Sequence, residues 1–226
     1  MKNIRLLSVI LLVAVSISPA QKSADFIVSL HGGSAIPSTP MSFSQYWKMN
    51  YGGGGGVEIP LSSSVTIGGT VDYYQFIMDE EGVKNSFATD YMRNIWAFND
   101  VSLKPAASNS SVMSIALNVR IESPDLNGSF RPYCVVGGGV LKYTFAEIAL
   151  PVKSTIVMNG SPVTMTSEQK IAGGEKTDPF LQLGLGVNVH LSSSLGIFAE
   201  ARYSKELVKG IGMTFIPLTV GVFYGL

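Results

Sequence analysis

The stretch Pro179–Tyr203, PFLQLGLGVNVHLSSSLGIFAEARY, decides the fold. Successive side chains of a strand point to opposite faces. Leu181, Leu183, Leu185, Val187, Val189 and Leu191 therefore fall on one side, and Gln182, Gly184, Gly186, Asn188 and His190 on the other. After the Ser-rich turn the alternation resumes, with Leu195, Ile197, Ala199, Ala201 and Tyr203 out and Gly196, Phe198, Glu200, Arg202 and Ser204 in. One face suits lipid and the other a polar interior, which is the pattern of a transmembrane β-barrel hairpin.

The N-terminus gives this hairpin a destination. Lys2 and Arg5 form a short basic region, residues 6–17 are apolar but too few to span a bilayer, and Ser18-Pro19-Ala20 offers small residues where a signal peptidase reads. Residues 1–20 are thus expected to be a cleavable signal peptide and residues 21–226 the barrel domain. No cysteine follows the cleavage site, so no acylated lipoprotein is expected, and Cys134, the sole cysteine, excludes an intramolecular disulfide.

Composition points to a membrane reached without helices. Charged residues make up 14% of the chain, against about 25% in soluble domains, yet beyond the leader no apolar run reaches about 18 residues. Only a closed barrel then satisfies the backbone in lipid. Without Lys2 and Arg5 the mature chain holds 14 basic and 16 acidic residues, a net charge of −2. That balance argues against nucleic acid as a partner.

The period-2 template finds eight strands, at about 24–36, 50–60, 64–77, 110–122, 130–144, 179–191, 195–204 and 214–226. Eight is even, as a single-chain bacterial barrel requires. Connections alternate in length: 37–49, 78–109, 145–178 and 205–213 at one end, and the shorter 61–63, 123–129 and 192–194 at the other. This asymmetry matches long extracellular loops and short periplasmic turns, with both termini periplasmic. Two hairpins also share one turn, since VEIPLSSSVTI at 57–67 returns in outline as VNVHLSSSLGI at 187–197.

Face assignment follows strand by strand. The fourth strand puts Met113, Ile115, Leu117, Val119 and Ile121 outward, and the eighth does the same with Leu218, Val220, Val222, Tyr224 and Leu226. The fifth strand carries apolar residues on both faces; ten residues at about 3.3 Å and a tilt of about 40° span roughly 25 Å, the height of the lipid-facing band, so Tyr133 and Tyr143 are faced outward. An aromatic girdle of Tyr51, Tyr73, Tyr133, Tyr143, Tyr203 and Tyr224 results.

With these faces assigned, the chain resembles the small eight-stranded outer-membrane β-barrels, the OmpA-type transmembrane domain and its generic relatives. The resemblance rests on YGGGGGVE at 51–58, RPYCVVGGG at 131–139, FAEARY at 198–203 and PLTVGVFYGL at 217–226. It implies an all-β, up-and-down antiparallel barrel in the outer membrane of a Gram-negative-type bacterium. Outer-membrane lipid and the barrel-assembly machinery are the implied partners; the machinery is met through the alternating, aromatic C-terminal strand, here ending in Leu226. Members include structural anchors, adhesins, small pores and a few lipid-modifying enzymes.

The inward set contains the chemistry. Glu58, Asp72, Arg120, Glu200 and Arg202 point into the lumen, with His31, Asn188, His190 and Lys142 beside them. A barrel of eight strands is only wide enough for side chains to fill, so these charges are expected to pair as a plug. The alternative is a narrow pore for small or apolar solutes, lined by the same charges. His190-Leu191-Ser192 superficially resembles the His-x-Ser of an outer-membrane lipid A deacylase, but it adjoins a short turn and Glu200 does not follow the deacylase spacing. The chain is read as non-enzymatic, without cofactor or metal; His31 has no ligand cluster at metal spacing, and the Gly-rich runs lack the lysine of a phosphate loop.

Specificity would reside in the long loops. In 78–109, Phe87, Tyr91, Met92, Ile95 and Trp96 fit a short amphipathic helix or local loop packing. In 145–178, Asn159-Gly160 between alternating flanks marks a hairpin that Pro162 confines to an edge. An extracellular ligand would be held by loops 78–109 and 145–178. The reading is a structural or surface-binding barrel; a soluble lipocalin-like carrier would share the strand number but turn its apolar face inward.

Overall fold

Alternation, turn chemistry and closure produce the observed chain path. The computed structural model describes residues 25–92, 101–103, 106–123, 129–158 and 161–226; residues 1–20, read as the signal peptide, lie outside them. The elements in order are β1 (Ile27–Thr39), α1 (Met41–Tyr46), β2 (Trp47–Pro60), β3 (Val65–Met78), α2 (Glu80–Met92), β4 (Val101–Leu103), β5 (Ser110–Glu122), β6 (Phe130–Phe145), β7 (Ile148–Met158), β8 (Ser161–Ile171), β9 (Gly174–His190), β10 (Leu195–Glu206) and β11 (Thr214–Gly225). Eight of the strands close an antiparallel barrel in the order β1-β11-β10-β9-β6-β5-β3-β2. Closure leaves the barrel no sheet edge. Its strands match the eight read from the sequence, shifted by a few residues at their ends.

Burial follows the pleat. Along β10 exposed and buried residues alternate over the whole strand. The outer surface is apolar, with Leu117 73%, Leu185 69% and Val220 65% exposed, while the inward Asp72 and Glu200 are 4% and 5% exposed. A soluble carrier barrel has the reverse arrangement. None of the described helices is long and apolar enough to cross a membrane.

At one end the repeated turn is built twice. Leu61 N donates to Val65 O at 2.8 Å and Leu191 N to Leu195 O at 2.9 Å. The Oγ of Ser62 and of Ser192 each accept the amide of the residue three ahead at 3.1 Å. The termini meet at this end, where Asp25 N donates to Leu226 O at 2.8 Å. At the opposite end sit α1, α2 and a separate sheet of order β4-β7-β8. β7 and β8 form the hairpin read from Asn159-Gly160, pairing from Ile148↔Ile171 to Met158↔Ser161. Pro162 lies in β8, which pairs with β7 alone, so its missing N–H costs no second ladder. Asp79 caps helix α2 from the position before it, its Oδ1 accepting the Gly82 amide at 3.0 Å. The side chains of Phe87, Tyr91 and Met92 and the whole of Ile95 and Trp96 lie outside the described residues.

β6 corrects the sequence reading. Directly paired residues share a face of the sheet, and the register sets Arg120 opposite Val135 and Glu122 opposite Tyr133. Because Arg120 points inward, Tyr133 and Tyr143 do too. Tyr133 is 4% exposed, and Tyr143 packs beside Phe145 with ring centroids 5.1 Å apart. Neither belongs to the girdle. Lys142 consequently points outward, where its Nζ meets Glu175 Oε2 at 2.9 Å. Apolar residues on both faces and three central glycines gave this strand no phase of its own.

Candidate functional site

The inward side chains form two layers. Nearer the short turns lies a polar layer contributed wholly by barrel strands. Arg120 Nη2 is 2.8 Å from Glu58 Oε1, and its guanidinium carbon sits 4.5 Å from the Tyr133 ring centroid. Arg202 Nε pairs with Glu200, and its Nη1 is 3.9 Å from Asp72 Oδ2. His31 Nε2 lies 2.6 Å from Asp72 Oδ1. The five charges Glu58, Asp72, Arg120, Glu200 and Arg202 are all buried, and a buried carboxylate depends on its cation.

Glycine lets these residues reach one another across an intervening strand. His31 of β1 and Asp72 of β3 are both in register with Gly54 of β2, which has no side chain to stand between them. In the same way Gly137 of β6 separates Asn118 from Gln182. Gln182 Nε2 donates to Asn118 Oδ1 at 2.5 Å, and Asn118 Nδ2 to Thr70 Oγ1 at 3.0 Å. Gly186 of β9 lies between Tyr133 and Glu200, and a Cβ there would enter the Tyr133 ring. The Gly-rich strands thus trade their own side chains for cross-lumen contacts.

Towards the opposite end the filling turns aromatic. Phe43 enters from α1 and is fully buried with Phe76, Leu141, Phe180 and Phe215. Its ring meets Phe76 at 4.9 Å and Phe145 at 5.4 Å between centroids, both edge-on. Trp47, Tyr74, Ile148 and Leu150 belong to the same layer. Above it, Glu206 Oε2 accepts the Met213 amide at 2.7 Å and Glu206 Oε1 meets Lys176 Nζ at 3.1 Å.

The remaining sequence candidates fall elsewhere. Asn188 donates from Nδ2 to Glu122 Oε1 at 2.6 Å, below the main network. The His190 ring packs against Phe223 at 5.2 Å, and Ser192 Oγ accepts the Leu195 amide within its turn. Tyr51, Tyr73, Tyr203 and Tyr224 are exposed on the outer face. The described residues hold no group of three or more His, Cys, Asp or Glu able to ligate a metal.

Sequence reasoning missed the aromatic layer. Part of it was readable: Tyr74, Phe76, Phe180 and Phe215 continue the inward phase of Asp72, Gln182 and Thr219. Phe43 and Phe145 gave no such signal, because the first belongs to a rim helix and the second ends a strand whose phase was ambiguous.

Comparison with known proteins adds fold-level likeness only. No protein-family model and no curated protein matches the chain. Among solved structures, Neisserial surface protein A is 12% identical with a TM-score of 0.47, covering 91% of this chain and 100% of that one. The N-terminal β-barrel domain of Pseudomonas aeruginosa OprF is 12% identical with a TM-score of 0.44, over 90% and 100% of the two chains. Ail of Yersinia pestis is 10% identical with a TM-score of 0.45, over 90% and 100%. The eight-stranded barrel of this chain stands on its own hydrogen-bonded closure.

Proposed function

We propose that the chain is an outer-membrane β-barrel with a closed lumen, a non-enzymatic scaffold that presents its helix-bearing rim to the outside. The supporting observation is the double filling of the lumen, an ionic layer beneath an aromatic one. A conducting path would have to cross both, and the second is built mainly of aromatic and aliphatic side chains. In this reading Glu58, Asp72, Arg120, Glu200 and Arg202 act as a plug. Tyr51, Tyr73, Tyr203 and Tyr224 mark the lipid boundaries, residues 1–20 direct export, and the barrel-assembly machinery inserts the chain with both termini periplasmic.

The rim supplies the binding surface. Loop 78–109, which contains α2, and loop 145–178, which contains the β7–β8 hairpin, extend beyond the barrel and are where a ligand would be held. The runner-up, a narrow pore, keeps the polar layer in its favour, since charged rings line selective pores. An epitope tag between Met158 and Ser161 is expected to be reached by antibody on intact cells, and one at Ser193 only after permeabilisation. The reverse pattern would invert the topology, and recovery of the folded protein in the soluble periplasm would end the membrane reading.

A further inference from the structure

We propose that the outer face of β9, β10 and β11 holds an anionic lipid. Its phosphate headgroup lies at Lys205 and Lys209, and one acyl chain lies over Ala199 and Ala201. The inference rests on the membrane placement and orientation argued above.

Two features of one strand meet here. Along the outward file of β10, Ala199 and Ala201 are flanked by taller residues, Ala199 by Val187 and Val220, and Ala201 by Leu185 and Leu218. The two alanines are the floor of an open hollow of about 630 Å³. A second hollow of about 410 Å³ shares Val187, Ala199 and Val220 and continues the trough towards Ile197. In the same file Tyr203 and then Lys205 follow, both exposed. From Ala199 to Lys205 is about 20 Å of strand at about 3.3 Å per residue, or about 15 Å along the membrane normal at a tilt of about 40°. That is about half of the roughly 30 Å hydrocarbon core, the depth reached by one leaflet's chain.

The charge at the top of this trough is unspent. Among the described side chains, Lys48, Lys84, Lys142, Lys170 and Lys176 each lie within ion-pair distance of a carboxylate. Lys205 and Lys209 have no acidic partner among the described residues. Between and beside them Leu207 and Ile211 are 47% and 81% exposed. Free ammonium groups above an exposed tyrosine, with bare apolar side chains alongside, match the boundary where a phosphate headgroup meets acyl chains. A soluble anion would use the lysines but leave the trough empty; an uncharged lipid would do the opposite.

The test uses the full mature chain carrying Cys134→Ser, with a fluorophore on Leu183→Cys beside the trough or on Leu117→Cys across the barrel. It is folded into phosphatidylcholine vesicles doped with acyl-brominated phosphatidylglycerol or, at the same mole fraction, acyl-brominated phosphatidylcholine. Quenching at residue 183 should favour the anionic lipid by about fivefold per lysine, the factor equivalent to about 1 kcal/mol; residue 117 should show no preference. Lys205→Glu with Lys209→Glu should erase the preference, the paired Arg substitutions should keep it, and Ala199→Leu, which fills the trough, should reduce it. Equal quenching by both lipids, or a preference that survives the Glu pair, overturns the proposal and leaves the membrane reading intact. Absence of quenching by either lipid at both positions overturns the membrane reading itself, and the proposal with it.

Discussion

The two halves of the lumen are lined by opposite chemistry on the same strands. In β3, Asp72 belongs to the ionic layer, and Tyr74 and Phe76, the next two inward residues, belong to the aromatic one. The ionic layer is built only from strand residues, and each charge is useful only with its partner present. The aromatic layer draws Phe43 from α1 and Ile148 and Leu150 from the rim hairpin, so it ties the rim to the barrel by packing. The lower layer thus demands completeness and the upper layer demands volume. Losing one member of the first strands a charge, whereas losing one member of the second opens a cavity.

The largest effect is expected where a cation serves two acids. Arg202→Ala leaves Glu200 and Asp72 short of a partner and should cost about 3 to 5 kcal/mol, the range seen when one member of a buried pair is removed. It is read as a lower melting midpoint in detergent. A change below about 1 kcal/mol would mean that the charges are water-screened, as in a pore. Phe43→Ala should cost about 3 kcal/mol, at the lower end of the range for buried phenylalanine because a short helix at the rim can settle into the gap. If the aromatic layer anchors the rim, protease cleavage within α1 should rise in this variant while the barrel strands stay protected.

A smaller pair of substitutions contrasts inward with outward tyrosines. Tyr133→Leu removes the ring under Arg120 and should cost about 2 kcal/mol, as for a desolvated cation–π contact, whereas Tyr203→Leu on the outer face should change stability little. Equal losses would return Tyr133 to the girdle.

The smallest effect concerns the cap of α2. Burial pushes the Asp79 carboxyl up, but the hydrogen bond from Lys48 and the Gly82 amide outweigh it and hold the group below its ordinary value. Its contribution is therefore present above the unfolded carboxylate pKa of about 3.9 and lost as pH falls through the lower folded value. Asp79→Ala should cost about 1 kcal/mol at neutral pH, and the difference from the parent should vanish in acid. Helical circular dichroism against pH for the two proteins checks this.

How much was legible in the sequence follows the same division. The outer face, the eight strands and the inward position of the five lumen charges all come from one period-2 alternation, and the shared Ser turns from a repeated segment. What that alternation cannot supply is phase where both faces are apolar, and on β6 the register with β5 alone sets Tyr133 and Tyr143 inward and Lys142 outward. Nor does it supply cross-strand register. Only the pairing of Gly54 with His31 and Asp72, and of Gly137 with Asn118 and Gln182, gives the glycines their purpose. The rim was the least readable part, because Phe43 is placed by packing across the barrel mouth and not by any local pattern.

The central claim, that two layers of side chains close the barrel, is tested most directly by single-channel current across a planar bilayer into which the folded mature chain has been inserted, with insertion confirmed independently. The account predicts electrical silence for the parent protein at all voltages below bilayer breakdown. Steady channels of defined conductance, with an ion selectivity that shifts in Arg202→Ala while the melting midpoint stays put, would contradict it.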